Sequence, residues 1–256
     1  MNQVGKRRGW AGGKGDHHLW FELSPKRVRA TINGETVADS LNVGLMLETN
    51  HRPVYYFPRE DVRTDLLERS NHRTHCPYKG DASYWTITVG GKRLENALWS
   101  YETPIAEMAA IQGRLAFYGD KVDRWFEEDE EVFGHARDPY HRIDVRESHR
   151  RVRVFFAGEA VADTKRARFL FETGHPTRYY IPQEDVRMDL LAATEKHTVC
   201  PYKGTASYWT LRRGEAVAED AVWAYLDPLP DMPLIKGLLC FYPEKVERIE
   251  VEGDPA

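Results

Sequence analysis

The chain has 256 residues, of which 41% are hydrophobic and 30% charged, a composition typical of soluble globular proteins and unlike that of disordered chains. Its formal net charge of −4 argues against nucleic acid as a partner, because broad phosphate binding needs an excess of positive charge. The longest apolar runs, such as residues 43–47, are far shorter than the roughly 20 residues that cross a bilayer, so no membrane partner is expected.

Residues 1–26 are predicted to be an N-terminal extension with one short strand around residues 19–23. The extension begins with a basic, glycine-rich stretch that lacks the apolar segment of a secretory signal, which predicts a cytoplasmic protein. The three cysteines of the chain, Cys76, Cys200 and Cys240, are too few and too scattered for a disulfide framework or a zinc site. Reduced thiols are therefore expected, with no metal and no cofactor.

Residues 27–126 are predicted to be a first β domain. A hairpin over residues 27–38 turns at Asn33-Gly34, a pair that favours the positive φ angles of a type I′ turn. A second hairpin over residues 83–101 turns at Gly90-Gly91. Aromatic and β-branched residues predict further strands over residues 45–48, 54–57, 115–118 and 122–126.

One short helix is predicted over residues 58–67, which begin with proline and carry acidic residues in the first turn. The rest of the domain is predicted to consist of strands and turns. The fold class is therefore mainly β, with two antiparallel sheets packed together in each domain and one short helix. Residues 127–150, which start with an acidic run, are predicted to be a solvated linker.

A gapless internal repeat relates the two halves of the chain at a shift of 124 residues. Residues 27–122 and 151–246 share 46 identities in 96 aligned positions, which excludes chance similarity. Two copies are too few for a solenoid, so the repeat predicts two globular domains in tandem. The second domain is placed at residues 151–251, and the chain is expected to be a monomer that imitates a dimer.

Three stretches carry a resemblance to a known family: residues 55–58, 61–67 and 74–85, with Cys-Pro-Tyr-Lys-Gly in the last. They resemble the bacterial family called domain of unknown function 427, which also bears the label of a nucleotidyltransferase. The resemblance covers both copies. It implies a β-tent-like fold, in which two antiparallel sheets meet at an angle, similar to the ligand-binding domain of cereblon. It implies no established activity.

The repeated Cys-Pro-Tyr-Lys-Gly motif places Cys76, Tyr78 and Lys79 in one turn, with Cys200, Tyr202 and Lys203 in the other copy. A nucleophilic thiolate needs a base beside it, but His75 is replaced by Val199 in the second copy. The cysteines are therefore interpreted as small buried hydrophobes, with a catalytic or redox role as the alternative. Each lysine is either a ligand contact or a solvated turn charge, and both interpretations stay open.

An Asp-x-Arg-x-Asp pattern also repeats, as Asp61, Arg63 and Asp65 and as Asp185, Arg187 and Asp189. In a helix, positions i and i+4 would bring the two carboxylates together. Such a pair could hold the divalent ion of a nucleotidyltransferase. The favoured interpretation is a salt-bridged cap that ties the helix to a sheet.

The aromatic residues are the most informative repeated set. Tyr84 and Trp85 lie on opposite faces of one strand, and the apolar neighbours of Trp85 favour the core for its side chain. Trp99 lies on the next strand. Crowded aromatics build either a core layer or a flat slot for a planar ligand. The same positions recur in the second copy as Tyr208, Trp209 and Trp223.

These patterns predict that each copy binds a small planar or heteroaromatic ligand in an aromatic pocket. Lys79 or Arg63 would satisfy a polar or anionic group of that ligand. Two alternatives remain: a nucleotidyltransferase-type enzyme that uses the paired aspartates with a divalent metal, and a non-catalytic scaffold that binds protein partners.

Overall fold

The computed structural model describes residues 10–14 and 16–253, which fall into two compact units, residues 1–138 and 139–256. All the helical segments in the described part are short 3-10 helices, and none is long and apolar enough to cross a membrane. The prediction of a mainly β protein with two tandem domains is confirmed.

The first unit contains twelve strands among its described residues: β1 (Trp10–Lys14), β2 (His17–Leu23), β3 (Val28–Ile32), β4 (Glu35–Ser40), β5 (Gly44–Glu48), β6 (Val54–Phe57), β7 (Leu67–Cys76), β8 (Gly80–Val89), β9 (Lys92–Ser100), β10 (Leu115–Phe117), β11 (Arg124–Glu127) and β12 (Glu130–Val132). Its 3-10 helices are η1 (Arg59–Asp61), η2 (Thr64–Leu66), η3 (Ala106–Ile111) and η4 (Gly119–Lys121).

The second unit repeats this order, with β13 (Ile143–Glu147), β14 (Val152–Phe156), β15 (Glu159–Thr164), β16 (Arg168–Glu172), β17 (Arg178–Tyr180), β18 (Leu191–Cys200), β19 (Gly204–Arg213), β20 (Ala216–Ala224), β21 (Leu239–Phe241) and β22 (Arg248–Val251). Its 3-10 helices are η5 (Gln183–Asp185), η6 (Met188–Leu190), η7 (Pro233–Ile235) and η8 (Pro243–Lys245).

Two antiparallel sheets build the first domain. The larger has the order β1-β2-β5-β6-β10-β9-β8-β7, and the smaller has the order β12-β11-β3-β4. Alternation along β3 buries Val28, Ala30 and Ile32 completely, and they pack with Trp85 and Phe57 of the larger sheet. The main core therefore lies between the two sheets.

A second apolar cluster covers the other face of the larger sheet. Tyr56, Tyr84 and Tyr101 pack there with Met108 and Ile111 of η3. Strands buried on both faces lose the simple alternation of polar and apolar residues, as β8 does with its nearly continuous burial. This second cluster contributes much of the aromatic lining of the candidate site.

The second domain has the same plan. Its sheets have the orders β13-β16-β17, β18-β19-β20-β21 and β15-β14-β22. Ile181, just after β17, exchanges two backbone hydrogen bonds of 2.7 and 2.8 Å with Leu239 of β21. This bridge joins the first two sheets into a counterpart of the larger sheet of the first domain.

The first predicted turn is formed as expected. Asn33 and Gly34 have φ angles of 51° and 79°, as a type I′ turn requires. The second domain adopts the same geometry at Ala157 and Gly158, with φ angles of 48° and 80°. Alanine rarely occupies this left-handed region, so Ala157 is a strained position.

The predicted helix over residues 58–67 is two separate 3-10 turns, η1 and η2, rather than a continuous helix. Between them Val62 is extended, with φ −117° and ψ 139°, and bridges to Ala38 of β4. Pairing with the smaller sheet interrupts the helix, so the i and i+4 geometry expected for the two aspartates is not formed. The same arrangement recurs at Val186 and Ala162.

The domains extend beyond the boundaries predicted from the sequence. β2 belongs to the larger sheet of the first domain, although residues 1–26 were expected to be an extension. β13, within the predicted linker at residues 127–150, pairs with β16 in the second domain. The acidic run forms the β11–β12 hairpin, and its first member, Glu127, is buried and accepts a hydrogen bond of 2.6 Å from Tyr55.

Candidate functional site

A cavity of about 880 Å³ in the first domain is lined in part by residues of β5, β6 and β10 and of the turn between β5 and β6. Strands β6 and β10 pair at only two positions, at residues 56 and 57. The lining includes Tyr55 and Phe117 of the core between the sheets and Tyr56 and Tyr84 of the cluster on the other face. The aromatic part of the lining consists of Tyr55, Tyr56, Tyr84, Trp99, Tyr101, Phe117, Tyr118 and Trp125.

Hydrogen bonds and ring contacts fix the aromatic wall. Trp99 Nε1 donates to the Tyr56 hydroxyl at 3.2 Å, and the Tyr84 hydroxyl lies 2.8 Å from Thr74 Oγ1. The ring of Tyr118 lies 4.6 Å from that of Trp99 and is 40% exposed. Anchored aromatic rings of this kind offer a flat ligand a rigid surface at little entropic cost.

Three phenols of this wall, those of Tyr56, Tyr101 and Tyr118, stay protonated at neutral pH. Burial raises the pKa of Tyr56 and of Tyr101 well above their usual value. Burial, together with a hydrogen bond to Tyr84, raises the pKa of Tyr118 to about 12. The wall therefore presents neutral hydroxyl groups, which can donate and accept hydrogen bonds but carry no charge.

A buried ion pair closes the polar end of the cavity. Lys79 donates to Glu48 Oε2, and both side chains are only 9% exposed. His17 Nε2 lies 3.0 Å from the other carboxylate oxygen. Burial alone would raise the pKa of Glu48, but the hydrogen bond and charge of Lys79, aided by His17, lower it below its usual value. Glu48 is therefore a carboxylate that neutralises Lys79.

Aromatic and backbone contacts hold His17 in place. Its ring stacks on Tyr78 with centroids 4.1 Å apart, and His51 packs edge-on at 6.1 Å. The hydroxyl of Thr49 accepts a 2.9 Å hydrogen bond from the backbone of His18, which fixes the end of β5 against β2. The pairing of β2 with β5 thus sets the distance from His17 to Glu48.

The second domain repeats this polar arrangement. Lys203 donates to Glu172 at 2.6 Å, and His141 lies 3.0 Å from the same oxygen. His141 stacks on Tyr202 with centroids 4.4 Å apart. Burial raises the pKa of Glu172, but Lys203 and then His141 lower it further, so the net direction is again downward. Two domains that keep one buried network share the same local architecture.

The comparison with known families matches this repeated architecture. The family model described as Domain of unknown function (DUF427) matches residues 20–128 and again residues 144–252. The chain belongs to this family. The two matches begin 124 residues apart, which is the shift of the internal repeat. A search of curated proteins finds no match.

The first DUF427 domain brings some predicted site residues together at the cavity. Cys76, Lys79, Tyr84 and Trp99 all line it. Tyr78 lies behind Lys79 and supports His17. The interpretation of Lys79 as a solvated turn charge is wrong, because its side chain is buried against Glu48. Cys76 is partly buried, and no other cysteine is bonded to it.

Other predicted ligand residues lie elsewhere. Trp85 is 3% exposed and packs in the core between the sheets, as its apolar neighbours indicated. Trp209 packs against the corresponding core of the second domain. Arg63 is exposed and donates to Asp65 at 2.8 and 2.6 Å, and Arg187 pairs with Asp189 in the same way, so neither arginine lines the cavity.

The predicted carboxylate pairs are not assembled. Asp61 accepts a 2.6 Å hydrogen bond from Ser40, while Asp65 is held by Arg63. In the second domain, Asp185 takes the equivalent bond from Thr164. Among the described residues no three His, Cys, Asp or Glu side chains are grouped as a metal site. Asp61 and Asp185 tie their 3-10 turns to a strand of the smaller sheet, as the favoured interpretation required, but no aspartate side chain caps the described turns η1, η2, η5 or η6.

Cys240 differs from the other two cysteines in its burial, which the sequence did not reveal. It occupies the position of Ala116 in the first domain, opposite Trp223, and is 1% exposed. Burial raises the pKa of this thiol to about 12. Cys200, in contrast, is only partly buried. Cys240 is therefore an unreactive core residue.

Sequence reasoning missed the partners of Lys79, which are Glu48 and His17. A signal for Glu48 was present, because Glu48, Thr49 and His51 are identical to Glu172, Thr173 and His175. A signal for His17 appears when the same shift is extended backwards to His141. Polar residues that are identical in the two copies and lie at the end of a buried strand would have indicated these partners.

Proposed function

We propose that the first DUF427 domain binds an uncharged, planar or heteroaromatic small molecule in the cavity beside Trp99. The observation that carries this proposal is the cavity itself, whose volume of about 880 Å³ lies in the range typical of small-molecule sites. Trp99 and Tyr118 supply the flat surface on which such a ring would stack.

The charges around the cavity support an uncharged ring system. Lys79 is neutralised by Glu48, and the phenols of Tyr56 and Tyr101 are protonated. Two exposed residues of the lining, Arg52 and Asp120, carry opposite charges. Their charges offset each other, so this part of the cavity favours neither cationic nor anionic ligands. The expectation that Lys79 or Arg63 receives an anionic group is therefore replaced.

Tryptophan fluorescence tests the proposal with a panel of uncharged planar compounds: indole, quinoline, adenine, adenosine, uridine and caffeine. We expect saturable quenching by at least one of them and a concentration-dependent rise in melting temperature. Trp99→Phe keeps a ring but loses the indole face and its bond to Tyr56, which should cost roughly 1 kcal/mol, about a fivefold loss of affinity.

Trp85→Phe is the matched control, because Trp85 lies on the opposite face of the same sheet. It should destabilise the domain without changing the affinity per folded molecule. If no compound of the panel changes fluorescence or melting temperature, the binding function is rejected. Equal loss of affinity in both variants would reject the assignment to Trp99.

We also propose that the protein works as a pseudo-dimeric monomer in the bacterial cytoplasm. The internal repeat supports a monomer, because each chain already carries both copies, and the three unbonded cysteines suit a reducing compartment. Size-exclusion chromatography with light scattering tests the monomer, for which a mass near 29.6 kDa is expected. A mass of twice that value would reject it.

A further inference from the structure

The two domains differ at several positions around the aromatic wall, and at one of them an apolar side chain is replaced by a long, charged one. In the first domain the position is Val54, the first residue of β6, which packs against the cluster of Trp99. In the second domain it is Arg178, whose guanidinium carbon lies 5.6 Å from the centre of the Trp223 ring. An arginine over an indole face is held by cation–π attraction, and its long stem covers apolar surface.

In the second domain a small cavity lies beside Arg178, and Trp223 is not among the residues that line it. Thr177, Arg178, Tyr179, Phe241 and Ile249 line a cavity of only about 10 Å³. Their counterparts at a shift of 124 residues are Pro53, Val54, Tyr55, Phe117 and Trp125, which all line the cavity of about 880 Å³. A space of 10 Å³ holds about one water molecule.

The exposure of the tryptophan also differs between the two domains. Trp223 is 7% exposed, whereas Trp99 is partly buried and lines the open cavity. The ring contacts beneath are preserved, since Trp223 and Tyr242 lie 4.3 Å apart and Trp99 and Tyr118 lie 4.6 Å apart. The second domain therefore keeps the aromatic wall but covers it.

We infer that Arg178 closes the aromatic site of the second domain, so that each chain binds one ligand molecule, in the first domain. The inference rests on the proposed function for its ligand, and it makes position 54/178 the residue that determines whether the aromatic wall is open in each domain of this chain. It replaces the expectation that both copies bind.

A reciprocal exchange tests the inference in the full-length protein by isothermal titration. The probe is whichever compound of the panel above binds the wild type most tightly. We expect one molecule per wild-type chain, two per chain in Arg178→Val, and at least a tenfold loss of affinity in Val54→Arg. Arg153→Val is the matched control, because Arg153 pairs with Glu250 and Phe155 in the same domain and does not line the small cavity. It should leave one site. Two sites in the wild type would overturn the inference.

A second measurement needs no ligand. Acrylamide quenching of tryptophan fluorescence is recorded for the wild type and for Arg178→Val. Each is compared with the same protein carrying Trp223→Phe in addition, so that the difference isolates the fluorescence of Trp223. We expect weak quenching of Trp223 in the wild type and at least a threefold increase in Arg178→Val. Unchanged quenching would overturn the closure by Arg178. If no compound binds, the proposed function fails and the one-ligand count with it, while this measurement still decides whether Arg178 closes the site.

Discussion

Removing the ammonium group of Lys79 should destabilise the first domain strongly. Lys79→Met leaves the Glu48 carboxylate, which is 9% exposed, with His17 as its remaining polar partner. Breaking a buried pair by removing one partner costs about 3–5 kcal/mol, because the other charge stays buried without compensation. For a domain of this size that corresponds to a fall in melting temperature of roughly 10–20 °C.

Native-state hydrogen exchange measured by mass spectrometry is the appropriate assay, because two domains need not unfold together. Amides of β8 should lose protection in Lys79→Met, while those of β19 in the second domain serve as the internal reference. Lys92→Met is the matched control: Lys92 pairs with Asp123 at 2.5 Å, but both side chains are about two-fifths exposed. Exposed pairs contribute about 0–1 kcal/mol.

The double variant Glu48→Leu with Lys79→Met completes the cycle. Replacing both charges with apolar side chains of similar length should restore most of the protection, because no buried charge remains. The reasoning would be refuted if Lys79→Met cost no more than Lys92→Met. It would also be refuted if the double variant were as unstable as the sum of the two single variants.

Three further outcomes are expected. Folding lowers the pKa of Glu48 below its usual value of 4.5. The Glu48 carboxylate therefore contributes fully to the free energy of unfolding above pH 4.5, and this contribution is lost as the pH falls through the lower pKa of the folded state. The stability gap between wild type and Glu48→Gln, measured by urea unfolding, should therefore be full at pH 7 and shrink below pH 4.5; a gap that widened in acid would contradict this. A disulfide reagent should modify Cys76 and Cys200 in the native protein but Cys240 only after unfolding, since Cys240 is buried with its pKa raised to about 12; rapid native reaction at all three would be inconsistent. Ala157→Asn should raise stability by about 0.5–1 kcal/mol in thermal unfolding, because asparagine tolerates a φ of 48°; a loss of stability would count against strain there.

The sequence by itself determined the duplication, the mainly β class and the turn at Asn33-Gly34. These features are local or are repeated within the chain. A type I′ turn needs only two residues with positive φ, and a strand needs only a short run of suitable side chains. The core position of Trp85 also followed from its immediate neighbours on the strand, because side chains alternate between the faces.

The tertiary structure alone decided which polar residues meet. Lys79 and Glu48 lie 31 residues apart, and Tyr55 and Glu127 lie 72 apart, so each pair depends on strand order and register that no local pattern contains. The predicted helix failed for the same reason, since Val62 pairs with a distant strand and interrupts it. The contact between Arg178 and Trp223 likewise depends on strand order, because β21 lies between β17 and β20 and sets their separation.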